Sequence, residues 1–337
     1  MKPKILYTDI VLFQPWILPL WKEYVDVEKF DPTRNYDRNN VMVLVSKRND
    51  KEQYLAVKSQ GYKIILDYVQ DSHTWDTDFP GGAINNSTSI IDNELNLCSK
   101  DWFRIHEALQ SKHNNYHCLP GNTITPDKFF LLLMNIKKYN RELLFNSVTE
   151  YLDDSLYSYV EKGIFLSGDK FLLHPEHNGT ANVNESLYVP EWYTQTSFSL
   201  VSETMVDYSW LKFAKPINKQ QVHITEKTFK TLAYLHPFVV FGTPYILNYL
   251  KNLGFETFHH IIDESYDLEL NTHTRLQKII TVLDDLYAEF KKNKNIFQDN
   301  RTKEILAHNR DLFFDDKQII SMFTEQLIIP VLDLANT

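Results

Sequence analysis

The stretch 198-FSLVSETMVDYSW-210 and the stretch 223-HITEKTFKTLAYLHPFVVFG-242 decide the fold. The first begins with an apolar run that ends in polar groups, which is typical of a strand in a covered sheet, and it places Glu203 at the carboxyl end of that strand. The second contains a helical pattern followed by the apolar run 237–241, which predicts another buried strand. Together they predict a strand, a helix and a strand, with an acid at the first strand's end.

The helix between these strands begins with a polar triplet. Thr225 is the expected N-cap, which puts Glu226 and Lys227 in the first helical turn. Free N–H groups and a lysine can hold a diphosphate, and a carboxylate can accept hydrogen bonds from both hydroxyls of a ribose. A simpler interpretation is also open, because an acid in a first turn suits the helix dipole and a lysine there is often only solvated.

The pattern FSLxxE, then TEKxxxxL and PFVVFG, resembles the donor-binding half of GT-B glycosyltransferases of the fucosyltransferase and exostosin type, across residues 198–258. The resemblance implies that Glu226 and Lys227 contact the ribose and the phosphates of a nucleotide sugar, and that Glu203 is the matching strand-end acid. It also implies a hexosyl- or pentosyltransferase that uses a GDP or UDP sugar and needs no cofactor.

A second resemblance lies upstream, in 129-FFLLLMNIKKYNR-141. Members of this family often carry a strand followed by a basic segment, which ends in an arginine that opens a helix. Here Lys138 and Arg141 stand where relatives tend to have two arginines, so Arg141 is the better candidate for phosphate binding. The expected donor-binding residues are therefore Lys138, Arg141, Glu203, Thr225, Glu226 and Lys227.

Strand and helix patterns alternate along the whole chain, which predicts the α/β class with parallel sheets. We expect two Rossmann-like domains facing a cleft, as in GT-B enzymes: an acceptor-side domain over residues 1–122 and a nucleotide-sugar-binding domain over 123–337, with the final helix folding back across the first domain. The predicted strands are 41–45, 62–69, 129–134, 163–166, 198–202, 237–241 and 257–262. The predicted helices are 51–60, 101–112, 139–152, one from 225, 244–253, one from 272 onward and 316–331. Residues 70–96 and 167–195 are predicted to be irregular.

Composition and charge favour a cytoplasmic enzyme. The 337 residues carry 44 acidic and 35 basic side chains, for a formal charge of −9, so no global field attracts DNA or anionic lipid. The two cysteines, Cys98 and Cys118, are too few for a disulfide framework. Asp9 interrupts the first apolar run too early for a secretory signal, and no apolar run reaches the length of a transmembrane segment.

An acceptor hydroxyl attacks best when a base takes its proton. By analogy with GT-B enzymes, this base is expected on a loop after a strand of the first domain. The residues Asp71, His73, Asp76 and Asp78 all follow the predicted strand 62–69. Asp71 is preferred because it is nearest the strand end, although such residues are equally typical of ordinary turns.

Two other functions remain open at this stage. Asp76-Thr77-Asp78 would suit a GT-A glycosyltransferase, in which a DxD triplet holds a divalent metal on the donor phosphates. The metal-independent, inverting GT-B reaction is favoured because Lys227 and Arg141 can neutralise the diphosphate, and the expected catalytic residues are then Asp71 and Lys227. The chain could instead be a non-catalytic protein that binds sugars, nucleotides or a partner. The acceptor, whether glycan, lipid, protein or modified nucleobase, is not indicated.

Overall fold

The structure is a computed structural model, and it describes residues 2–7, 14–31, 33–38, 41–46, 51–67, 89–91, 94–97, 101–114, 126–135, 137–164, 166, 190–207 and 222–337. Its contacts divide the chain into two compact units, Met1–His113 with Asp315–Thr337, and Asn114–Phe314. Each unit has its own sheet of mainly parallel strands connected by helices, so the predicted α/β class with two Rossmann-like units is confirmed. The predicted boundary between residues 122 and 123 lies outside the described residues.

The first unit is built on a six-stranded sheet with the order β2-β1-β3-β4-β6-β5. Its elements before the second unit are β1 (Lys4–Tyr7), α1 (Leu18–Tyr24), β2 (Asp26–Lys29), β3 (Val41–Ser46), α2 (Lys51–Ser59), β4 (Lys63–Asp67), β5 (Ser89–Ile91), β6 (Glu94–Leu97) and α3 (Trp102–His113). The strands pair in parallel except β5, which is antiparallel to β6. The predicted unit of strand, helix and strand over residues 41–69 is confirmed, and Gly61 ends its helix in the left-handed conformation.

The prediction of an irregular segment over residues 70–96 is wrong where the structure describes it. Residues 89–91 and 94–97 form strands, and β6 pairs with β4 so that Leu95 and Leu97 are buried in the sheet. The segment is rich in polar residues, and the alternation of apolar and polar residues in each strand extends over only three or four positions. That is too short to predict a strand.

The last elements of the first unit form a continuous helical segment at the carboxyl terminus. They are α10 (Asp316–Phe323), a π-helical turn (Thr324–Ile328) and α11 (Ile329–Asn336). Polar contacts tie the segment to α3, because Arg104 donates to the side-chain oxygen of Gln318 and Gln326 donates to Asp101. In the described part of the chain, residues 316–336 are the helical stretch long and apolar enough to cross a membrane, although no such stretch was expected from the apolar runs; Phe323 and Leu327 are buried, whereas Ile320 and Ile329 are exposed.

The second unit is built on a four-stranded parallel sheet with the order β10-β9-β7-β8. Its elements are β7 (Lys128–Met134), α4 (Tyr139–Ser147), β8 (Leu156–Tyr159), α5 (Pro190–Gln195), β9 (Thr196–Ser202), α6 (Glu226–Ala233), β10 (Phe238–Phe241), α7 (Ile246–Asn252), α8 (Thr272–Lys292) and α9 (Asn300–Phe313). Every residue of β9, which lies inside the sheet, and of β10, which is its edge strand, is buried.

Three local predictions for this unit are wrong. The strand predicted at 163–166 is replaced by β8, and Ile164 makes only an isolated bridge with Tyr159. The strand predicted at 257–262 is a turn, because the N–H groups of Ile261 and Ile262 both bond to the carbonyl of Phe258. Residues 190–195, predicted to be irregular, form α5. Short apolar runs of this kind do not distinguish strands from turns and short helices.

Candidate functional site

The sheet of the second unit changes direction between β7 and β9. The chain leaves β7 to form β8 on one side, and it later adds β9 and β10 on the other side. In open parallel sheets, ligands bind at the carboxyl ends of the two strands that flank such a reversal. The described residues at this position are 135 and 137–141, which lead from β7 into α4, and Glu203 and Thr204, which follow β9.

A buried hydrogen bond joins these two segments. The side-chain nitrogen of Asn140 donates to the backbone oxygen of Glu203 at 2.9 Å, and both residues are buried. The bond fixes the first turn of α4, which also carries Arg141, against the end of β9. Sequence reasoning missed Asn140, because an asparagine in the first turn of a helix gives no signal of a tertiary partner.

Glu203 is fully buried, and the beginning of α6 uses both of its carboxylate oxygens. Oε1 accepts from the backbone N–H of Thr225 at 3.1 Å and from the hydroxyl of Thr228 at 2.6 Å. Oε2 accepts from the hydroxyl of Thr225 at 2.6 Å. Glu203 follows β9 directly, as predicted, but its carboxylate bonds the protein's own groups and has no exposed surface.

A glycine makes room for this buried carboxylate. Gly242 follows β10, whose Phe241 accepts from the backbone N–H of Glu203 at 2.9 Å. A Cβ atom on Gly242 would lie 2.4 Å from Cδ1 of Ile246 and 3.1 Å from Cβ of Glu203. The first distance is shorter than atoms tolerate and the second is tight, so a side chain at this position would displace the end of Ile246 and press on Glu203.

The first turn of α6 begins as the sequence predicts. Thr225 is the N-cap in an extended conformation, and its hydroxyl oxygen accepts from the N–H of Lys227. Glu226 and Lys227 follow as the first two helical residues. A helix beginning at this edge of the sheet directs its N–H groups, and the positive end of its dipole, towards the strand reversal.

The ammonium group of Lys227 has an acceptor for each of its three N–H bonds. Nζ donates to the hydroxyl of Thr225 at 2.9 Å, to the hydroxyl of Thr204 at 3.2 Å and to Oε1 of Glu226 at 2.9 Å. Oε2 of Glu203 lies 3.9 Å away. Since 24% of the Lys227 side chain and 13% of the Glu226 side chain are exposed, the pair is reachable from solvent, whereas Glu203 is not.

Electrostatics keep this pair ionised. Burial on its own would lower the pKa of Lys227, but the charges of Glu226 and Glu203 outweigh it, and the net shift is upward. Burial would likewise raise the pKa of Glu226, but Lys227 and Lys230 outweigh it and hold that pKa below its usual range. Both side chains therefore carry their charge at neutral pH.

Arg141 brings a second cation to the same place. It is buried in the first turn of α4, and burial lowers its pKa while the charges of Glu226 and Glu203 act in the opposite direction. An arginine stays protonated in proteins at all ordinary pH values. Two cations and the N-terminus of α6 thus converge at the strand reversal, which is an arrangement that can hold an anion.

The chain that follows β9 is also anchored. Arg275 of α8 is buried, and its guanidinium group donates to the backbone oxygens of Val206 and Glu269. These bonds fix the exit of the chain from Glu203 and Thr204 to the beginning of α8. Sequence reasoning missed Arg275, which lies on a helix read only for its apolar stripe.

The remaining predicted site residues are placed only in part. Lys138 is the N-cap of α4, and its carbonyl accepts from the N–H of Glu142. Asp71, His73, Asp76 and Asp78 lie outside the described residues. Among the residues that the structure describes, no group of three or more His, Cys, Asp and Glu side chains could hold a metal ion.

No protein-family model matches the chain. No curated protein matches it either. Among solved structures, the crystal structure of an α1,3-fucosyltransferase with GDP-fucose is similar over 94% of this chain and 91% of that chain, with 10% sequence identity and a TM-score of 0.41.

Proposed function

We propose that this chain is a glycosyltransferase that takes a sugar from a nucleotide-diphosphate donor, with the diphosphate bound at the N-terminus of α6. The observation that carries the proposal is the convergence of Lys227, Arg141 and this helix N-terminus at the strand reversal of the second unit. A diphosphate gains negative charge as it leaves the sugar, and fixed cations lower the free energy of that transition state.

The two cations have different roles in this proposal. A phosphate oxygen of the donor replaces one of the three acceptors of the Lys227 ammonium group. It must compete there with the carboxylate of Glu226, which also accepts from Lys227. Arg141 contributes a planar group that can donate two parallel hydrogen bonds to one phosphate. Because Arg141 is buried, its guanidinium group has a fixed direction, and a phosphate must lie at one particular place to bind it.

The ribose and the edges of the site complete the donor-binding set. Glu226, partly exposed beside Lys227, accepts hydrogen bonds from the ribose hydroxyls. Thr225 caps the helix that presents both residues, and Lys138 contributes the backbone turn that opens α4. The sugar nucleotide is a GDP or UDP sugar in this proposal, by the family resemblance of residues 198–258.

In the reaction, the acceptor hydroxyl forms a bond to the anomeric carbon while the bond from that carbon to the phosphate oxygen breaks. The proton of the hydroxyl passes to a base, for which Asp71 is proposed, and the configuration of the anomeric carbon is inverted. Lys227 and Arg141 take the place of a metal ion at the diphosphate. The alternative, a metal held by Asp76 and Asp78, makes the opposite prediction about metal dependence.

A panel of nucleotides and nucleotide sugars tests the proposal. We expect GDP, UDP or their sugars to raise the melting temperature, because a ligand that binds only the folded state stabilises it, and we expect the matching nucleoside without phosphates to have no effect. Release of nucleotide from the sugar donor should continue in excess EDTA. A protein stabilised by none of the diphosphates would overturn the proposal; activity lost in EDTA and restored by manganese would favour the alternative with Asp76 and Asp78. Binding without turnover of any donor would favour a non-catalytic protein.

A further inference from the structure

One buried residue bonds both helices that carry the cations of the candidate site. The backbone oxygen of Glu203 accepts from Asn140 in the first turn of α4. Its side chain accepts from Thr225 and Thr228 at the beginning of α6. The relative position of Arg141 and Lys227 therefore depends on Glu203, although Glu203 itself has no exposed surface.

We infer that Glu203 is a positioning residue whose buried carboxylate fixes the beginning of α6 and places a negative charge 3.9 Å from the ammonium group of Lys227, on the side of Arg141. The inference rests on the proposed function, since it explains how a diphosphate site is maintained between turnovers. It assigns Glu203 no contact with the donor.

Hydrogen bonding alone does not explain a carboxylate at this position. Neutral oxygens could accept from the N–H and hydroxyl groups of Thr225 and Thr228, and burying an ion costs free energy unless a charge compensates it. The charged groups that face Lys227 are Glu226 on its own helix, Glu203 after β9 and Arg141 on α4. Without Glu203, Glu226 would be the acid left facing both cations, with Glu161 acting on Arg141. The carboxylate thus offsets like-charge repulsion when the diphosphate has left.

Three variants separate the charge of Glu203 from its shape. Glu203→Gln keeps the size and one acceptor oxygen but removes the charge. Glu203→Asp keeps the charge and shortens the side chain. Thr228→Val is the matched control, because it removes one hydrogen bond to Oε1 of Glu203 within the same buried contact and changes no charge.

The protonation of Lys227 in the ligand-free protein gives the first readout. Lysines are labelled competitively with acetic anhydride from pH 7 to 11, and the rate at Lys227 is compared with that at Lys292, an exposed lysine at the end of α8. In the unaltered chain we expect Lys227 to become reactive at a higher pH than Lys292. In Glu203→Gln we expect the midpoint to fall by about one to three pH units, as for loss of an opposite charge at this distance.

Each outcome of the labelling experiment bears on the inference. Glu203→Asp and Thr228→Val should leave the Lys227 midpoint nearly unchanged, even where they lower the melting temperature. A midpoint unchanged in Glu203→Gln, or moved equally in Thr228→Val, would show that Glu203 acts through packing alone and would overturn the inference. If Glu203→Gln does not fold, a midpoint of Lys227 at or below that of Lys292 in the unaltered chain would overturn it as well.

Binding of GDP and UDP gives the second readout and separates the two proposals. The ratio of Kd values for Glu203→Gln and the unaltered chain should rise between pH 7 and pH 10, because titration of the nucleotide is common to both proteins and cancels. If the unaltered chain binds neither nucleotide, the proposed function fails while the labelling result still decides the role of Glu203. If the nucleotide binds and the Kd ratio is constant with pH, the inference about Glu203 fails alone.

Discussion

Two successive helices of the second unit are capped in similar ways, and only one of them carries the candidate site. The beginning of α6 is held by Glu203, and the beginning of α7 is held by Asp267, which is also buried. Oδ1 of Asp267 accepts from the N–H of Leu247 at 2.9 Å, and Oδ2 accepts from the N–H of Asn248 at 3.1 Å. In both cases, an acid distant in sequence satisfies N–H groups that a helix leaves open.

The two N-termini differ in the charges around them. Burial raises the pKa of Asp267, while the N–H groups of Leu247 and Asn248 act in the opposite direction, and the nearby Lys251 already pairs with Glu264 at 2.8 Å. At α6, by contrast, Lys227 and Arg141 both face the capping acid. A buried acid that caps a helix therefore indicates only where the helix begins. Two cations next to that acid, at a reversal in strand order, indicate a site that can bind an anion.

Removal of the cation at α6 should have the largest effect. Lys227→Met is expected to reduce kcat/KM for the sugar nucleotide by about thirty- to a thousandfold, corresponding to about 2 to 4 kcal/mol of lost transition-state stabilisation. Lys251→Met on α7 is the matched control, since its ion pair is partly exposed and contributes at most about 1 kcal/mol to stability. Steady-state kinetics on both variants test this, and equal losses of activity would contradict the distinction between the two helices.

The sequence predicts the α6 site well where the signal is local. The N-cap Thr225, the first-turn residues and the strand that ends before Glu203 were all read from neighbouring residues, and the structure has them at those positions. The burial of Glu203 could not be predicted from its neighbours in the sequence. Its carboxylate is buried by contacts with Thr225 and Thr228, which lie 22 and 25 residues further along the chain.

The same limit explains the missed and mistaken elements. The apolar residues in and just before the turn at 257–262, Phe255, Phe258 and Ile262, are spaced three and four residues apart, and all three are buried without forming a strand. β8 is a short run of mixed polarity that becomes a strand only by pairing with β7. Tertiary pairing decides such segments, and local pattern does not.

The opposite end of α6 predicts a pH dependence. His236 is fully buried beneath that end, hydrogen-bonded to the hydroxyl of Ser199 at 2.8 Å, and burial lowers its pKa to about 4 from 6.5. In the unfolded chain, His236 takes up a proton below about pH 6.5, whereas in the folded chain it does so only near pH 4. The free energy of unfolding therefore falls as the pH falls through this range. The loss from this residue is about 3 kcal/mol.

Chemical denaturation between pH 7 and pH 4 checks this dependence against His236→Gln. The variant should be less stable at pH 7, where the histidine bonds are intact, and the difference between the two proteins should narrow by about 3 kcal/mol towards pH 4. A constant difference across that range would mean that the folded and unfolded chains take up the His236 proton equally, and that folding does not lower this pKa.

Gly242→Ala tests the packing that holds Glu203. The added Cβ would lie 2.4 Å from Cδ1 of Ile246, the first residue of α7, and 3.1 Å from Cβ of Glu203, so the Ile246 side chain must move and Glu203 must give way slightly. We expect a loss of about 1 to 3 kcal/mol in the free energy of unfolding, as for overpacked cores, together with weaker binding of GDP or UDP. Gly61→Ala is the control, because Gly61 belongs to the other compact unit and its left-handed backbone would be strained by a Cβ that has no atom within 4 Å. It should lower stability and leave nucleotide affinity unchanged; a loss of affinity in both variants would mean that the effect of Gly242→Ala reports only global instability.

The smallest effect is expected at the cap of α7, and it sets the two helix N-termini directly against each other. Asp267→Asn keeps the size of the side chain but presents an amide group to one of the two N–H groups of Leu247 and Asn248, so one hydrogen bond is lost and its donor is left unsatisfied. The cost should be about 1 to 2 kcal/mol in the free energy of unfolding, the usual range for loss of a helix cap. Because no site cation depends on Asp267, the Kd for GDP or UDP and its variation with pH should match those of the unaltered chain, whereas Glu203→Gln changes both.

Denaturation and calorimetry on the two variants measure stability and affinity side by side. If Asp267→Asn weakened nucleotide binding as much as Glu203→Gln, the two caps would be energetically coupled, and the special role given to the charge of Glu203 would have to be abandoned in favour of a general requirement for an intact sheet edge.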